Sequence, residues 1–454
     1  MAVQTIIVFG VTGDLSVRLL LPAVYELIKK KKKLLIIGVA DQKTTAIEIL
    51  SHARAYIKEL HQVTFDELVR SFFYYQCDIA SSDTYAQLSQ FVDQCEHIFG
   101  CDQQRVVYCA TPSDLFCSIV KNSVHARLIC SKNILHRVVF EKPLGWDVVS
   151  ARAINDGITA FLSAEQIYYI DHYLTRELVN NILVLRSANA IFEPLWNNNY
   201  IHRIVVTLNE SASIEHRGKY YDRYGALKDV MQNHLLQLAA LITMEKPENL
   251  DSATLHAYKT KILQNMRVVQ AVIGQYDGYL DEQDVHAHST TETFAALKIV
   301  IDTSIWQKVP VYLVTGKCLT RKETEINIFF KEQHACLFNS NQLCMPNVLT
   351  IRIFPDEGFV LTVNAKKPGI NDETVRVPLE FCYTCLFGPY TPQAYELLLD
   401  KVLRGDRSST VSFNEIEYQW NIIDEVKRMQ LPLHTYKKGS LGPVAAYDMM
   451  KDHI

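Results

Sequence analysis

Short apolar runs alternate with longer amphipathic stretches through the first third of the chain. Residues 6–9, 34–39, 106–109 and 137–140 are such runs, and 15–29 carries the wider apolar spacing of a helix. Short apolar runs of this kind read as strands buried on both faces, and strands that alternate with helices build a parallel, doubly wound sheet. A further apolar run at 166–170 stops abruptly at a polar cluster.

Beyond residue 290 the rhythm changes. Residues 294–300, 309–315, 325–330, 348–354 and 359–363 are all strand-like, and short turns separate several of them. Strands without crossover helices pair antiparallel. Residues 203–209 are expected to join that sheet, with helices over 176–187, 229–244, 254–272 and 392–403 packed on one face. The pattern predicts an α/β, Rossmann-like, doubly wound parallel sheet in a dinucleotide-binding domain over 1–170. A larger α+β domain with a mainly antiparallel sheet follows over 171–454.

Composition fits a globular chain: 454 residues, 48% hydrophobic and 21% charged. Lys and Arg (46) nearly balance Asp and Glu (50), so no nucleic-acid partner is expected. A strand-like run begins almost at once after the N-terminus, and no apolar stretch is long enough to span a bilayer. The chain therefore reads as cytoplasmic, without a membrane segment. The lysine run 29–33 reads as a solvated turn, with an anionic-surface patch as the alternative.

The eleven cysteines have no regular spacing and read mostly as small, reduced, buried hydrophobes. Cys382-Tyr-Thr-Cys385 is a C-x-x-C that could be a redox pair or half a zinc site. No second pair and no nearby His supports a metal, so no metal site is expected and the pair reads as ordinary thiols.

Candidate chemistry gathers where apolar elements end. The first strand runs into Gly10-Val-Thr12-Gly13-Asp14-Leu15 and a helix. Glycines there let the backbone approach a pyrophosphate, and the helix start offers free N–H groups. The spacing is G-x-x-G, one glycine short of the usual fingerprint. The second strand ends at Asp41, whose carboxylate is placed to accept from ribose hydroxyls, unless it simply caps a loop or the next helix. It would repel a 2′-phosphate by about 3 kcal/mol per unit charge at ~5 Å and an effective dielectric of ~20, with Lys43 offsetting some of it. The strand 137–140 ends in Glu141-Lys142-Pro143, which puts Lys142 at the carboxyl end of the sheet; a surface turn is the plainer alternative. Asp171-His172-Tyr173 and Arg176 precede a helix and offer imidazole, phenol and guanidinium to a phosphate, or merely cap that helix. Asp229 and His234 open a helix that turns almost wholly apolar from Leu235.

Over nearly its whole length the chain resembles glucose-6-phosphate dehydrogenase. The resemblance rests on Gly10-Val-Thr-Gly-Asp-Leu15, Glu141-Lys-Pro-Leu-Gly145, Ile170-Asp-His-Tyr-Leu174, Asp229-Val-Met-Gln-Asn-His-Leu-Leu-Gln237, Thr315-Gly-Lys317 and Tyr436-Lys-Lys-Gly-Ser-Leu-Gly-Pro443. It implies oxidation of glucose 6-phosphate at C1 to the phosphogluconolactone with a nicotinamide cofactor, the first step of the oxidative pentose phosphate pathway. It implies His234 as the general base and Asp171 as its orienting partner. It further implies His172 and Tyr173 as phosphate ligands, Glu210 and Asp229 as sugar-hydroxyl ligands, and Lys142, Lys317 and Lys322 as cationic substrate contacts. Gly10, Thr12, Gly13, Asp14 and Leu15 match the cofactor turn, and Pro143 a position that is cis in the family. A homodimer, or a dimer of dimers, is implied through the antiparallel sheet. Three positions depart from the family: Arg176 and Leu19 stand where lysines are usual, and Asp41 stands where NADP-preferring members have Arg. The last favours NAD over NADP.

Overall fold

The computed structural model describes residues 3–332, 345–369, 374–388 and 393–451. The chain forms two compact units. The first comprises Met1–Thr175, Leu250–Ala253 and Pro392–Glu417; the second comprises Arg176–Asn249, Thr254–Thr391 and Tyr418–Ile454.

In the first unit, strands β1 (Val3–Phe9), β2 (Leu34–Ala40), β3 (Phe72–Gln76), β4 (Cys101–Cys109), β5 (His136–Phe140) and β6 (Ile167–Ile170) form one parallel sheet. Its order is β6-β5-β4-β1-β2-β3, and the short strand Thr410–Val411 adds antiparallel to β6. All seven residues of β2 are buried, as a strand covered on both faces requires. Because β1 pairs with both β2 and β4, the strand order reverses beside β1. Crevices at such a reversal bind ligands beyond the carboxyl ends of the strands.

The helix expected at 392–403 on the antiparallel sheet lies instead in the first unit, as Ala394–Arg404. Its face of Tyr395, Leu398, Leu399, Val402 and Leu403 joins the core built by Ile6, Ile36, Leu21 and Val24. Such a stripe states that a helix is amphipathic but not which core receives it. Local charge then fixes the placement: Lys32 pairs with Asp400 at 2.8 Å, and Lys30 pairs with the buried Glu396. The lysine run is therefore more than a solvated turn, because it clamps a helix that follows hundreds of residues later.

The second unit is built on β7 (Ile201–Asn209), β8 (Met266–Tyr276), β9 (Phe294–Ile301), β10 (Val311–Gly316), β11 (Glu323–Phe330), β12 (Val348–Phe354), β13 (Gly358–Lys366) and β14 (Thr374–Cys382). The order is β14-β13-β12-β11-β7-β10-β9-β8, followed by Leu433–Tyr436. Pairing is antiparallel except for β7 with β10 and Leu433–Tyr436 with β8. The helix expected over 254–272 ends at Gln264, and its second half is β8. Val268, Val269, Val272 and Ile273 explain the difference, since β-branched side chains favour a pleated surface and β9 offers a partner strand.

The helix expected over 229–244 exists in two windings, a π-helical segment Leu227–Leu235 and an α-helix Leu236–Thr243. Its C-terminal carbonyls are satisfied from the side: Arg186 donates to Leu241 and Met244 at 3.0 and 2.7 Å, and the Trp196 indole donates to Ile242 at 2.7 Å. Among the described residues no helix is long and apolar enough to cross a membrane.

Candidate active site

The first unit carries the nucleotide end. Gly10 adopts φ +80, and a Cβ there would lie 3.1 Å from the Ala110 carbonyl carbon, so only glycine fits between β1 and the end of β4. Ser16 Oγ and the Gly13 N–H both donate to the Gly10 carbonyl, at 3.0 and 3.1 Å, and close the turn. Gly13 and Asp14 are exposed at its rim, with Thr12 and Leu15 half-buried. This glycine-lined turn before a helix fits a pyrophosphate. The helix that follows starts as a π-helical turn, Ser16–Leu20, on which Leu19 is exposed. Asp14 pairs with Arg18 at 3.4 Å on the surface.

Asp41 is exposed just past the end of β2. The next helix, Ala46–Arg54, is capped by Thr45: its Oγ accepts from the Glu48 N–H at 3.2 Å, and Glu48 accepts from the Thr45 N–H at 3.0 Å. The capping role considered for Asp41 is thus filled by another residue.

At the end of β5 the Lys142–Pro143 bond is cis, as the resemblance implied. Glu141, beside Lys142, accepts from the Tyr108 hydroxyl at 2.6 Å and the Tyr395 hydroxyl at 3.2 Å. Burial pushes the Glu141 carboxyl up, while Tyr108 and Lys142 pull it down. At the end of β6, Asp171 is buried and accepts the Tyr173 N–H at 2.9 Å. His172 lies between two rings, tilted against Tyr173 at 5.0 Å and stacked on Tyr395 at 5.4 Å. Thr175 anchors this turn through bonds to the His172 carbonyl and the Ala394 carbonyl. Sequence reasoning missed Tyr395 and Glu141. Glu141 could have been suspected as the neighbour of Lys142, whereas Tyr395 gives no local signal.

The second unit carries the other candidates. Asp229 and His234 are both buried on the π-helical segment Leu227–Leu235. The Leu236 N–H reaches back to the Met231 carbonyl, five residues earlier. Winding of this kind brings positions five apart onto neighbouring places, whereas an α-helix repeats every 3.6 residues. Tyr220 donates to Asp229 at 3.1 Å, and the Arg217 guanidinium lies 4.8 Å over the Tyr220 ring. Burial opposes the Arg217 charge, but Asp229 and Tyr220 more than compensate and raise its pKa. Glu210, following β7, pairs with the buried Lys317, whose ammonium sits 5.4 Å over Tyr221. Arg217, Tyr220 and Tyr221 had no role in the sequence reading.

Two further cations share one aromatic ring. Arg176 stands just before the helix Glu177–Ser187 without a side-chain capping bond and lies 6.0 Å over Phe354, and Lys322 lies 4.9 Å over the same ring. Burial pushes the Glu357 carboxyl up, and Arg176 draws it back down.

Comparison with known proteins gives the family. The glucose-6-phosphate dehydrogenase NAD binding domain matches residues 7–181, and the C-terminal domain of the same family matches 183–454. Glucose-6-phosphate 1-dehydrogenase of Bacillus subtilis is 34% identical, over 98% of this chain and 96% of the relative. A solved glucose-6-phosphate 1-dehydrogenase from Mycobacterium avium aligns with a TM-score of 0.87 at 33% identity, covering 99% of this chain and 98% of that one. The structure of glucose-6-phosphate dehydrogenase in complex with its substrate glucose-6-phosphate aligns with a TM-score of 0.91 at 30% identity, covering 99% and 97%. With both domains matched in order and relatives aligned end to end, the chain belongs to the glucose-6-phosphate dehydrogenase family.

Proposed function

We propose that this chain oxidises glucose 6-phosphate at C1 to 6-phosphogluconolactone, the entry reaction of the oxidative pentose phosphate pathway. The observation that carries the reading is the buried Asp229 and His234 on one π-wound segment, in a chain whose family acts on that sugar phosphate. His234 accepts the proton of the C1 hydroxyl, and Asp171 orients its imidazole and stabilises the imidazolium. Asp229 and Glu210 accept hydrogen bonds from sugar hydroxyls. Glu210 is held for this by Lys317, and Asp229 by Tyr220. His172, Tyr173, Arg176 and Lys322 bind the 6-phosphate, and Lys142 contacts both substrate and cofactor.

The nicotinamide cofactor supplies the hydride acceptor when bound. Gly10, Thr12, Gly13, Asp14 and Leu15 hold its pyrophosphate, and Asp41 its ribose. NAD is favoured over NADP, because the exposed Asp41 carboxylate would repel a 2′-phosphate on the adenosine ribose, and the neighbouring helix is already capped by Thr45. The enzyme works in the cytoplasm as a homodimer, or a dimer of dimers, paired through the antiparallel sheet.

Leu19 and Arg176 favour a second reading, a dehydrogenase of a related sugar or sugar phosphate. Rates of NAD reduction with glucose, glucose 6-phosphate and galactose 6-phosphate separate the two. The first reading requires glucose 6-phosphate to be the best substrate and His234→Ala to lose at least about 100-fold in kcat, the span of a general base. Near-full turnover in that variant, with folding verified, sinks the assignment of the base.

A further inference from the structure

The C-x-x-C of the chain lies outside every role proposed above. Cys382 closes β14, and Cys385 sits on the short helix Tyr383–Phe387 that follows. The two are bridged, with Cα atoms 5.2 Å apart, well within the range a disulfide spans. This corrects the expectation that they are ordinary thiols. The other cysteines among the described residues are free. Of these, burial pushes the thiols of Cys77, Cys95, Cys109 and Cys318 up, which suppresses their thiolates.

We propose that Cys382 and Cys385 form a reversible thiol–disulfide centre that exchanges with low-molecular-weight thiols and disulfides of the glutathione class.

Three observations carry this. The bridge has little structural work to do. It closes a loop with only two residues between its ends, and the stabilisation a cross-link gives shrinks as the loop it closes shortens. The strand it terminates is already paired with β13 along its length, up to the Gly358–Cys382 pair. Access comes next: Cys385 is exposed at the end of an edge strand, and exposed disulfides are the labile ones. Exposed Leu386 and Phe387 flank it with an apolar surface that an incoming reagent can lie on.

The third observation is an asymmetry between the two sulfurs. The Cys385 N–H donates to Cys382 Sγ at 3.2 Å, and the Thr384 hydroxyl lies 3.6 Å from the same sulfur. Donors aimed at a sulfur favour its thiolate. Cys385 is thus the sulfur that is reached, and Cys382 the one that leaves. An external thiolate RS⁻ attacks Cys385 Sγ, the protein S–S bond breaks, and its electron pair goes to Cys382 as thiolate. A second RS⁻ attacks the R sulfur of the mixed disulfide, releasing RSSR and the Cys385 thiolate. With protons taken up, the bridged protein and two RSH yield the dithiol protein and RSSR, and oxidation runs the same steps backwards.

The test equilibrates the full-length protein with reduced and oxidised glutathione at ratios from fully reducing to fully oxidising. Free thiols are then alkylated and the peptide spanning 382–385 is read by mass. Both thiols are expected to titrate together as one two-electron transition. In oxidised glutathione, Cys382→Ser is expected to hold one glutathione on Cys385, and Cys385→Ser to hold several-fold less on Cys382. A pair that stays reduced in oxidised glutathione alone, or stays bridged in excess reduced glutathione, overturns the proposal. The wild-type titration decides this even if a variant fails to fold.

Discussion

Tyr395 lies ring to ring with His172, centroids 5.4 Å apart and planes 18° from parallel, while its hydroxyl donates to Glu141. One side chain thus ties a proposed phosphate ligand to the carboxylate beside Lys142. A stacked pair contributes about 0.5–1.5 kcal/mol beyond its buried area. Tyr395→Ala is therefore expected to raise KM for glucose 6-phosphate by roughly 2- to 12-fold, with KM for the cofactor changing less. Tyr395→Phe keeps the stack and loses only the hydroxyl, so its sugar-phosphate KM should stay near wild type. Equal KM changes in both variants would sink the stacking argument.

Gly225 and Glu292 set the entry to the π-helical segment. Gly225 has φ +64, and a Cβ there would lie 2.8 Å from the Glu292 side-chain carboxyl carbon. Glu292 in turn accepts the Leu227 N–H at 3.0 Å through its side chain, and the Ala226 N–H at 3.0 Å through its carbonyl. Gly225→Ala should displace the segment and lower kcat, measured against an unchanged far-ultraviolet spectrum.

The same carboxylate gives a pH signature. Burial raises the Glu292 pKa above its ordinary value, and the Leu227 N–H opposes the rise only in part. A carboxyl with a raised folded pKa binds more protons when folded. Its effect on stability is therefore most favourable at low pH and declines as pH rises from the ordinary carboxylate range through the folded pKa. Glu292→Gln keeps the acceptor oxygen and removes the charge. Its thermal midpoint should fall less than that of the wild type across this window, as calorimetry at stepped pH would register. A steeper fall in the variant contradicts the sign.

Lys317 and Glu210 pair with the lysine side chain only 7% exposed and the glutamate 29%. Breaking a fully buried pair by removing one partner costs about 3–5 kcal/mol, and the partial exposure of Glu210 lowers that here. Lys317→Met should therefore destabilise the protein by roughly 2 kcal/mol and raise KM for the sugar phosphate. Denaturant unfolding and steady-state kinetics would show both; an unchanged KM removes Lys317 from the substrate contacts.

The proposed preference for NAD rests on the charge of Asp41. A repulsion of about 3 kcal/mol corresponds to a preference for NAD on the order of 100-fold. Side-by-side kcat/KM for NAD and NADP measures it, and Asp41→Arg should reverse it. Preference for NADP in the wild type refutes the reading.

The sequence by itself determined what depends on local pattern. Alternating strands and helices specified the parallel sheet, the glycines at 10 and 13 marked the turn after β1, and the strand ends carried Lys142 and Asp171. These are legible because strand period and glycine geometry act over a few residues. The tertiary structure decided what depends on partners far along the chain. It placed Ala394–Arg404 in the first unit, because its apolar stripe found that core and Lys30 and Lys32 held it. That choice brought Tyr395 to His172, which no local spacing could announce. It turned the second half of an expected helix into β8, because β9 was there to pair with it. It also wound Leu227–Leu235 as a π-helix. Asp229 and His234 stand five residues apart in any conformation, and only that winding makes them near neighbours on one face.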